Sequence, residues 1–225
     1  MIEVLVKFPT RERPGSFAKA LGLLVSEARH SSRIHYLFTL DENDPSLWHN
    51  QEVISRAGIA KENYTVVVGR SKGKIDAVNR DLSAFDKQWR TVLVASDDMH
   101  ATQWWDVWVM QAMAQFYPAT DGCLWFSDGF QHDICTIPCI GKAMYDALGY
   151  IYNPIYQSVF ADDEQTHRAI KDGKITRLDN ILMRHDHPAW NSSLKPDALY
   201  RRNETREIWD KDEATYRERL NAGFP

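Results

Sequence analysis

The sequence has no run of roughly 20 apolar residues, the length that an α-helix needs to cross a membrane. We therefore expect no membrane anchor. No positively charged, apolar leader typical of a signal peptide precedes the first predicted strand. Cysteine is scarce, with three in 225 residues, and an odd number of cysteines is typical of a reducing compartment. These absences together predict a cytoplasmic protein.

Further absences narrow the class of function. The formal net charge is −4, so there is no overall positive field to attract nucleic acid or an anionic membrane surface. Cys135 and Cys139 have no second cysteine pair to join them in a zinc site, and we expect both to be buried. The sequence contains neither a P-loop nor a dinucleotide-binding glycine fingerprint. Any bound phosphate would therefore be held by side chains or by a metal ion.

The sequence does contain a regular alternation of strand and helix patterns. Strands are predicted at residues 3–8, 34–40, 64–68, 91–95 and 122–126, and helices at residues 17–28, 75–85, 104–116 and 141–148. A further helix is predicted to follow the acidic residues at 162–164 and to run to about residue 171. This alternation predicts an α/β fold with a mostly parallel sheet flanked by helices. We expect residues 1–190 to form this domain. Residues 191–225, which are rich in charge, are expected to form a helical tail packed on it.

Polar side chains follow the predicted strands. Because the carboxyl ends of parallel strands meet at one edge of a sheet, where ligands bind in open α/β folds, we expect these groups to share a crevice. They carry both signs of charge, which suits a nucleotide whose phosphates meet arginine and a cation. The groups are Thr10 with Arg11 and Arg13, Asp41, Lys74 with Asn79, and Asp97 with Asp98.

Asp97 and Asp98 follow the buried run from Thr91 to Ala95. Carboxylates can hold Mn²⁺ or Mg²⁺, and such a cation can bind a diphosphate. Alternatively, the two residues cap a following helix. The stretch by itself leaves both interpretations open.

At these positions the chain resembles the GT-A glycosyltransferases of the inverting, nucleotide-sugar-dependent type (family 2-like). The resemblance rests on Pro9-Thr10-Arg11-Glu12-Arg13-Pro14 after the first strand, an aspartate after the second, and the acidic motif after the fourth. Gly73-Lys74-Ile75-Asp76-Ala77-Val78-Asn79 also resembles the family's Gly-Lys-x-x-Ala-x-Asn segment. The resemblance extends from about residue 2 to residue 190. One departure is Ala95-Ser96-Asp97-Asp98, which lacks the first aspartate of the family's Asp-x-Asp motif.

The resemblance implies a GT-A (Rossmann-like) fold and a nucleoside-diphosphate sugar donor, expected to be a UDP-sugar. The residues implied to bind the nucleotide are Pro9, Thr10, Arg11, Arg13, Asp41, Lys74, Asn79 and Asp97. It also implies that Asp97 binds Mn²⁺ or Mg²⁺, that Asp98 shares this role, and that His185 or His187 completes the metal ligands. Alternatively, His187 is a turn residue stacked on Trp190.

A second acidic cluster, Asp162 and Asp163, matches the position of the family's catalytic base. A carboxylate there would remove the proton of the acceptor hydroxyl as the new bond forms. Asp163 is the expected base and Asp162 its close rival, and the alternative is pairing with a helix dipole. Trp125, Asp128 and Gly129 are expected to form a shelf for the acceptor or the donor sugar. They would otherwise be a buried tryptophan and a turn.

The expected activity is metal-dependent transfer of a hexosyl or pentosyl group, with inversion, to a hydroxyl of a saccharide, lipid, protein or modified nucleobase in nucleic acid. A nucleotidyltransferase of similar fold is disfavoured, because the loop after the first strand has one glycine, Gly15, and two arginines. A catalytically silent nucleotide- or sugar-binding module is the other alternative. A possible basic rim for a nucleic-acid acceptor comprises Arg29, His30, Arg33, Arg70, Lys72 and Arg80.

Overall fold

The computed structural model describes residues 1–189 and 193–225. The strands in these ranges are β1 (Ile2–Thr10), β2 (Ile34–Asp41), β3 (Tyr64–Gly69), β4 (Trp89–Val94), β5 (Met99–Ala101), β6 (Cys123–Ser127), β7 (Pro138–Gly141), β8 (Ile175–Ile181) and β9 (Met183–His185). The α-helices are α1 (Pro14–Ser26), α2 (Leu47–Arg56), α3 (Lys74–Asn79), α4 (Trp105–Phe116), α5 (Lys142–Leu148), α6 (Ala161–Lys171), α7 (Ala198–Asn203) and α8 (Arg206–Asn221).

Seven of the described strands form one sheet in the order β3-β2-β1-β4-β7-β6-β8. All neighbours in this sheet are parallel except β7, which is antiparallel to both β4 and β6. β5 and β9 form a separate antiparallel pair. The predicted α/β fold with a mostly parallel sheet is therefore confirmed. The carboxyl ends of β1, β2, β3, β4 and β6 meet at one edge, which we call the carboxyl edge.

Two layers of helices cover the two faces of the sheet. Along β1, Val4, Val6 and Phe8 belong to the same buried cluster as residues of α1, α2 and α4. Leu5, which points to the opposite face because side chains alternate along a strand, clusters with residues of α3, α5 and α6. Burial on both faces explains why the central strands are almost uninterrupted apolar runs.

Several local predictions differ from the structure. The predicted helix at residues 75–85 ends at Asn79, because Arg80 is extended and Asp81 takes a left-handed conformation with φ 76°. Helix α2 and the strands β5, β7, β8 and β9 were not predicted, since their sequences lack a clear apolar period. Along α4, Trp105, Val109 and Met113 are buried, whereas Trp108 and Phe116 are each 40% exposed. Cys135 and Cys139 are buried free thiols, as expected.

The C-terminal helix α8 packs beside α6. Arg219 donates to both oxygens of the buried Glu164, at 2.6 and 2.9 Å, and the hydroxyl of Tyr216 lies 2.9 Å from Nδ1 of His167. Asp212, which is fully buried, accepts hydrogen bonds from the backbone of the segment that leads into α6. In the described part of the chain, no helix is long and apolar enough to cross a membrane.

Candidate functional site

The carboxyl ends of β1 and β2 carry an arginine–aspartate pair. Nη1 of Arg11 lies 3.1 Å from Oδ2 of Asp41. The other oxygen of Asp41 accepts hydrogen bonds from the backbone N–H and the hydroxyl of Ser71, at 3.0 and 2.5 Å. The structure thus brings together two of the residues implied to bind a nucleotide, and it adds Ser71, which no sequence pattern had indicated.

Thr10 ends β1 next to this pair and follows the half-buried Pro9. Its residue surface is 7% exposed, and its Oγ1 is a buried polar atom with no hydrogen-bond partner in the described part of the chain. A buried hydroxyl is normally paired. An unpaired hydroxyl at the carboxyl edge therefore fits a site whose ligand supplies the missing partner.

Arg13 connects β1 to the acidic motif. Its Nη1 lies 3.1 Å from Oδ1 of Asp97. Its Nε and Nη2 both donate to Asp197, each at 2.7 Å, and Arg202 donates to Glu12 at 2.7 Å. Residues 197–202 therefore lie against the loop after β1, an arrangement that the sequence analysis did not predict.

The acidic motif and His185 form the most strongly coupled part of the site. Nε2 of His185 lies 3.5 Å from Oδ2 of Asp98, and its Nδ1 lies 3.6 Å from Oδ2 of Asp128. Burial would lower the pKa of His185, but the two carboxylates outweigh burial and raise it to about 9. Burial by itself would raise the pKa of Asp98, but His185 outweighs burial and holds this pKa well below its usual range. Burial, followed by the charge of Asp98, raises the pKa of Asp97 to about 6.

His187 lies beside His185, with the two ring centroids 5.3 Å apart, and at the same distance from Tyr200. Burial and the neighbouring His185 lower its pKa to about 4. The alternative contact of His187 with Trp190 lies outside the described residues.

The donor types in this cluster fit a divalent cation. Asp97, Asp98 and His185 supply carboxylate oxygens and an imidazole nitrogen, which suit Mn²⁺. No group of three such donors is arranged as a metal centre within residues 1–189 and 193–225. In this arrangement Arg13 is paired with Asp97, and His185 holds a proton that a metal ligand must lose. The predicted metal ligation therefore remains a prediction.

The second acidic cluster opens α6 at the carboxyl edge. Among the described residues, the carboxylates of Asp162 and Asp163 form no ion pair and no hydrogen bond with another side chain. Burial, followed by the charge of Asp162, raises the pKa of Asp163 to about 6. The next residue, Glu164, is instead bound by Arg219, Asn153 and Tyr156. Of the three acids, only the first two have carboxylates available to a ligand.

The expected sugar shelf is largely internal in this structure. Trp125 is 7% exposed, and the guanidinium of Arg177 covers its ring at 4.9 Å from the centroid. Asp128 is 1% exposed and accepts from the N–H groups of residues 130 and 131 and from Thr136. Gly129 has a left-handed φ of 87°, which suits glycine in a turn. A direct sugar contact would require Arg177 to move and Asp128 to become accessible.

Lys74 and Asn79 lie at the two ends of α3. Lys74 is exposed, and its charge helps to lower the pKa of Asp98, which places it near the acidic motif. Asn79 donates to the carbonyl of Tyr152 at 2.6 Å and accepts from the N–H groups of Ile151 and Tyr152. Contact of Asn79 with a nucleotide would require these bonds to be shared or broken.

The possible basic rim is not a continuous surface. Residues 29–33 precede β2 and lie at the opposite edge of the sheet from residues 70–72, which follow β3. Arg80 points inward, with 15% of its side chain exposed, and donates to the carbonyl of Leu40. This inward position was not predicted, because a lone arginine after a short helix normally faces solvent.

The topology has the arrangement of the GT-A fold, and the comparisons with solved structures agree. The mannosyltransferase PcManGT from Pyrobaculum calidifontis, in complex with GDP-Man and Mn²⁺, is similar with a TM-score of 0.61 and 13% identity. The match covers 82% of this chain and 56% of that one, so the chain spans little more than half of that protein. S. aureus TarS 1-349 in complex with UDP-GlcNAc is similar with a TM-score of 0.62 and 14% identity, over 93% of this chain and 66% of that one.

Nucleotidyltransferase structures are also similar. A 4-diphosphocytidyl-2C-methyl-D-erythritol synthase from Anaerococcus prevotii matches with a TM-score of 0.54 and 12% identity, over 95% of this chain and 96% of that one. No protein-family model matches the sequence, and no curated protein matches it either. At these identities the similarity shows the fold: the chain has the GT-A fold of nucleotide-sugar-dependent glycosyltransferases.

Proposed function

We propose that the chain is a glycosyltransferase that moves a sugar from a nucleoside-diphosphate donor, a UDP-sugar, to an acceptor hydroxyl with inversion. The observation that carries the proposal is that two acidic clusters with different surroundings lie at one edge of a GT-A fold. Asp97 and Asp98 lie among cations, whereas Asp162 and Asp163 have no cationic partner in the described part of the chain. The first cluster suits a diphosphate site, and the second suits proton removal.

Each part of the proposed site has a distinct task. Arg13 and Lys74 supply positive charge for the diphosphate, and Thr10 and Asp41 offer polar contacts to the nucleoside. A leaving diphosphate is stabilised by cations fixed before the reaction, because little reorganisation is then needed. Asp163 removes the proton of the acceptor hydroxyl on the opposite side of the anomeric carbon. A carboxylate with a pKa of about 6 is mostly ionised at neutral pH and can accept this proton.

Asp97, Asp98 and His185 are the residues that would hold a divalent cation. When bound, Mn²⁺ or Mg²⁺ would neutralise the negative charge of the departing diphosphate. For His185 to take this role, its ring nitrogen that faces the cation must lose its proton. Arg13 would then be released from Asp97 to bind phosphate.

Two other functions make different predictions. The similarity to the 4-diphosphocytidyl-2C-methyl-D-erythritol synthase over 96% of its chain, and to a cytidylyltransferase over 79%, favours nucleotidyl transfer, which releases pyrophosphate rather than a nucleoside diphosphate. A silent binding module would bind nucleotide without turnover, and the missing first acidic position favours this candidate.

The donor class is tested by thermal shift with nucleoside diphosphates and their sugars, with and without Mn²⁺. A ligand that binds only the folded protein raises the melting temperature, and the rise increases with the logarithm of the ratio of ligand concentration to its Kd. We expect UDP or a UDP-sugar to stabilise the protein, and Mn²⁺ to increase this effect. If none of the panel raises the melting temperature, the proposed function is wrong.

The base is tested by following the products of a UDP-sugar incubated with the protein and Mn²⁺. Asp163→Asn should reduce release of UDP by about 10²–10⁴-fold and leave UDP binding intact. Asp172→Asn, which changes an exposed carboxylate at the other end of the same helix, is the matched control and should have no effect. Release of pyrophosphate from a nucleoside triphosphate would instead identify a nucleotidyltransferase. UDP binding without UDP release would identify the silent module.

A further inference from the structure

A cavity of about 270 Å³ lies between β6, β8 and the loop that follows β6. Its volume is close to the lower end of the range for small-molecule sites, about 300–1,000 Å³. The residues proposed above to hold the nucleotide and the cation are not part of its walls. The walls include the side chains of Trp125, Ser127, Gln131, Arg177 and Asp179.

Arg177 forms a cationic wall of this cavity. It lies beside Trp125 across the parallel pair β8 and β6, and its guanidinium stacks on the indole ring, 4.9 Å from the ring centroid. Its side chain forms no ion pair and no hydrogen bond with any of the described residues. A cation stacked on an aromatic face keeps its N–H groups free to donate. Trp125 therefore supports Arg177, and a ligand in the cavity meets the guanidinium rather than the indole face.

Two further side chains offer hydrogen-bond donors to the cavity. Oε1 of Gln131 accepts from the N–H groups of residues 132 and 133, at 2.7 and 2.8 Å, which leaves the amide NH₂ group to donate. Oγ of Ser127 accepts from the N–H of Gly129 at 3.1 Å, and its hydroxyl proton has no acceptor within the described ranges. A wall with one cation and several available donors suits a ligand that is rich in acceptor oxygens.

The cavity is adjacent to both parts of the proposed site. On one side, the lining residue Ser127 is followed directly by Asp128, which lies 3.6 Å from His185. On the other side, the loop after β6 is bound to α6, because Thr166 accepts from the N–H of Cys135 at 2.9 Å. Helix α6 carries the proposed base in its first turn. A molecule in the cavity would therefore lie near the groups that act on the acceptor hydroxyl.

We propose that this cavity binds the acceptor, and that the acceptor is an anionic saccharide whose phosphate or carboxylate group is bound by Arg177. This inference rests on the proposed function, because it treats the cavity as the acceptor side of a sugar transfer. A planar guanidinium forms paired hydrogen bonds with the oxygens of either anionic group. The donors of Ser127 and Gln131 are left for the other oxygens of the saccharide.

The test is calorimetric titration at saturating UDP and Mn²⁺, which keep the diphosphate site occupied. The probes are glucose 6-phosphate, glucuronate and ribose 5-phosphate, each compared with its neutral parent sugar. We expect the preferred anionic probe to bind about tenfold more tightly than its parent, the factor expected for hydrogen bonds to a charged group. The preferred probe identifies the anionic group as phosphate or carboxylate. The same probe should also accelerate release of UDP from a UDP-sugar.

Two substitutions in the cavity should act in opposite directions. Arg177→Gln should remove most of the preference for the anionic probe, and Arg177→Lys should keep part of it, because the charge remains while the planar fork is lost. Asp179 is exposed on β8 and adds a negative charge to the same cavity. Asp179→Asn should therefore tighten binding of the anionic probe and leave that of the neutral parent unchanged. Damage to the fold would not produce this gain.

Arg217→Gln is the matched control, because the side chain of Arg217 is 72% exposed on α8 and pairs with Glu213. It should leave every affinity unchanged. Equal wild-type affinity for anionic and neutral probes, or an unchanged preference in Arg177→Gln, would overturn the inference while UDP binding leaves the proposed function in place. Binding of an anionic probe without faster UDP release would show an anion site that is not the acceptor site, and would also overturn it. If UDP itself does not bind, the proposed function fails and the inference fails with it.

Discussion

Asp212 offers the sharpest test of how the C-terminal helix supports the site. This fully buried carboxylate on α8 accepts from the N–H groups of Gln157, Ser158 and Val159, at distances from 2.8 to 3.2 Å. The segment continues directly into α6, which begins with Asp162 and Asp163 in its first turn. We predict that Asp212→Asn both destabilises the fold and loosens the start of α6.

The size of the effect follows from the three N–H groups. A hydrogen bond to a charged group contributes about 1.5–3 kcal/mol, and one between neutral groups about 0.5–1.5 kcal/mol. The substitution keeps an oxygen at one of the two positions but removes the charge, which costs about 1 kcal/mol for each of the three bonds. The expected loss in the free energy of unfolding is therefore about 3 kcal/mol. For a chain of this size, that corresponds to a fall of roughly 6–12 °C in the melting temperature.

The measurement is urea denaturation together with a thermal melt of the wild-type protein and the Asp212→Asn variant. Asp210→Asn is the matched control two residues away on the same helix, because it removes only an exposed ion pair with Arg206. Such a pair contributes about 0.3–0.5 kcal/mol. If Asp212→Asn is no less stable than Asp210→Asn, the carboxylate does not hold the segment at residues 157–159, and the reasoning is refuted.

Three other predictions follow from the charged groups. The turnover rate should fall as the pH drops below about 6, where Asp163 becomes protonated. Asp162→Asn should move this fall to lower pH, because the charge of Asp162 helps to raise the pKa of Asp163. A pH–rate profile that does not move in this variant would contradict the assignment of Asp163 as the base. Burial lowers the pKa of Lys7 from 10.5 to about 7, so the unfolded chain binds an extra proton between these values and stability should rise with pH in that window. Lys7→Met should lessen this rise in pH-dependent melts. Arg219→Gln leaves Glu164 buried without its cation and should cost about 3–5 kcal/mol in urea denaturation, whereas a loss below 1 kcal/mol would show that Asn153 and Tyr156 suffice.

Most of the strand ends that form the site could be predicted from local sequence. The apolar runs before Asp41 and Asp97 are long enough to identify buried strands, and a parallel sheet brings their carboxyl ends together. The roles of individual side chains were harder to predict. Asn79 was expected to meet a nucleotide but spans the backbone of residues 151–152. The inward contacts of Lys7 could have been predicted from the sequence, because a charged residue within a buried strand needs polar partners.

The local sequence was enough to predict the central strands, most of the larger helices and the edge at which the polar groups collect, because burial imposes a regular spacing on the apolar residues. Which charges meet could be seen only in the folded chain. Arg13 pairs with Asp197, 184 positions away, and Arg80 turns inward over a glycine that follows another strand. Such pairings depend on loop paths and on the space left between elements. A local sequence pattern cannot predict loop paths or the space between elements, because the residues that define them are distant in sequence.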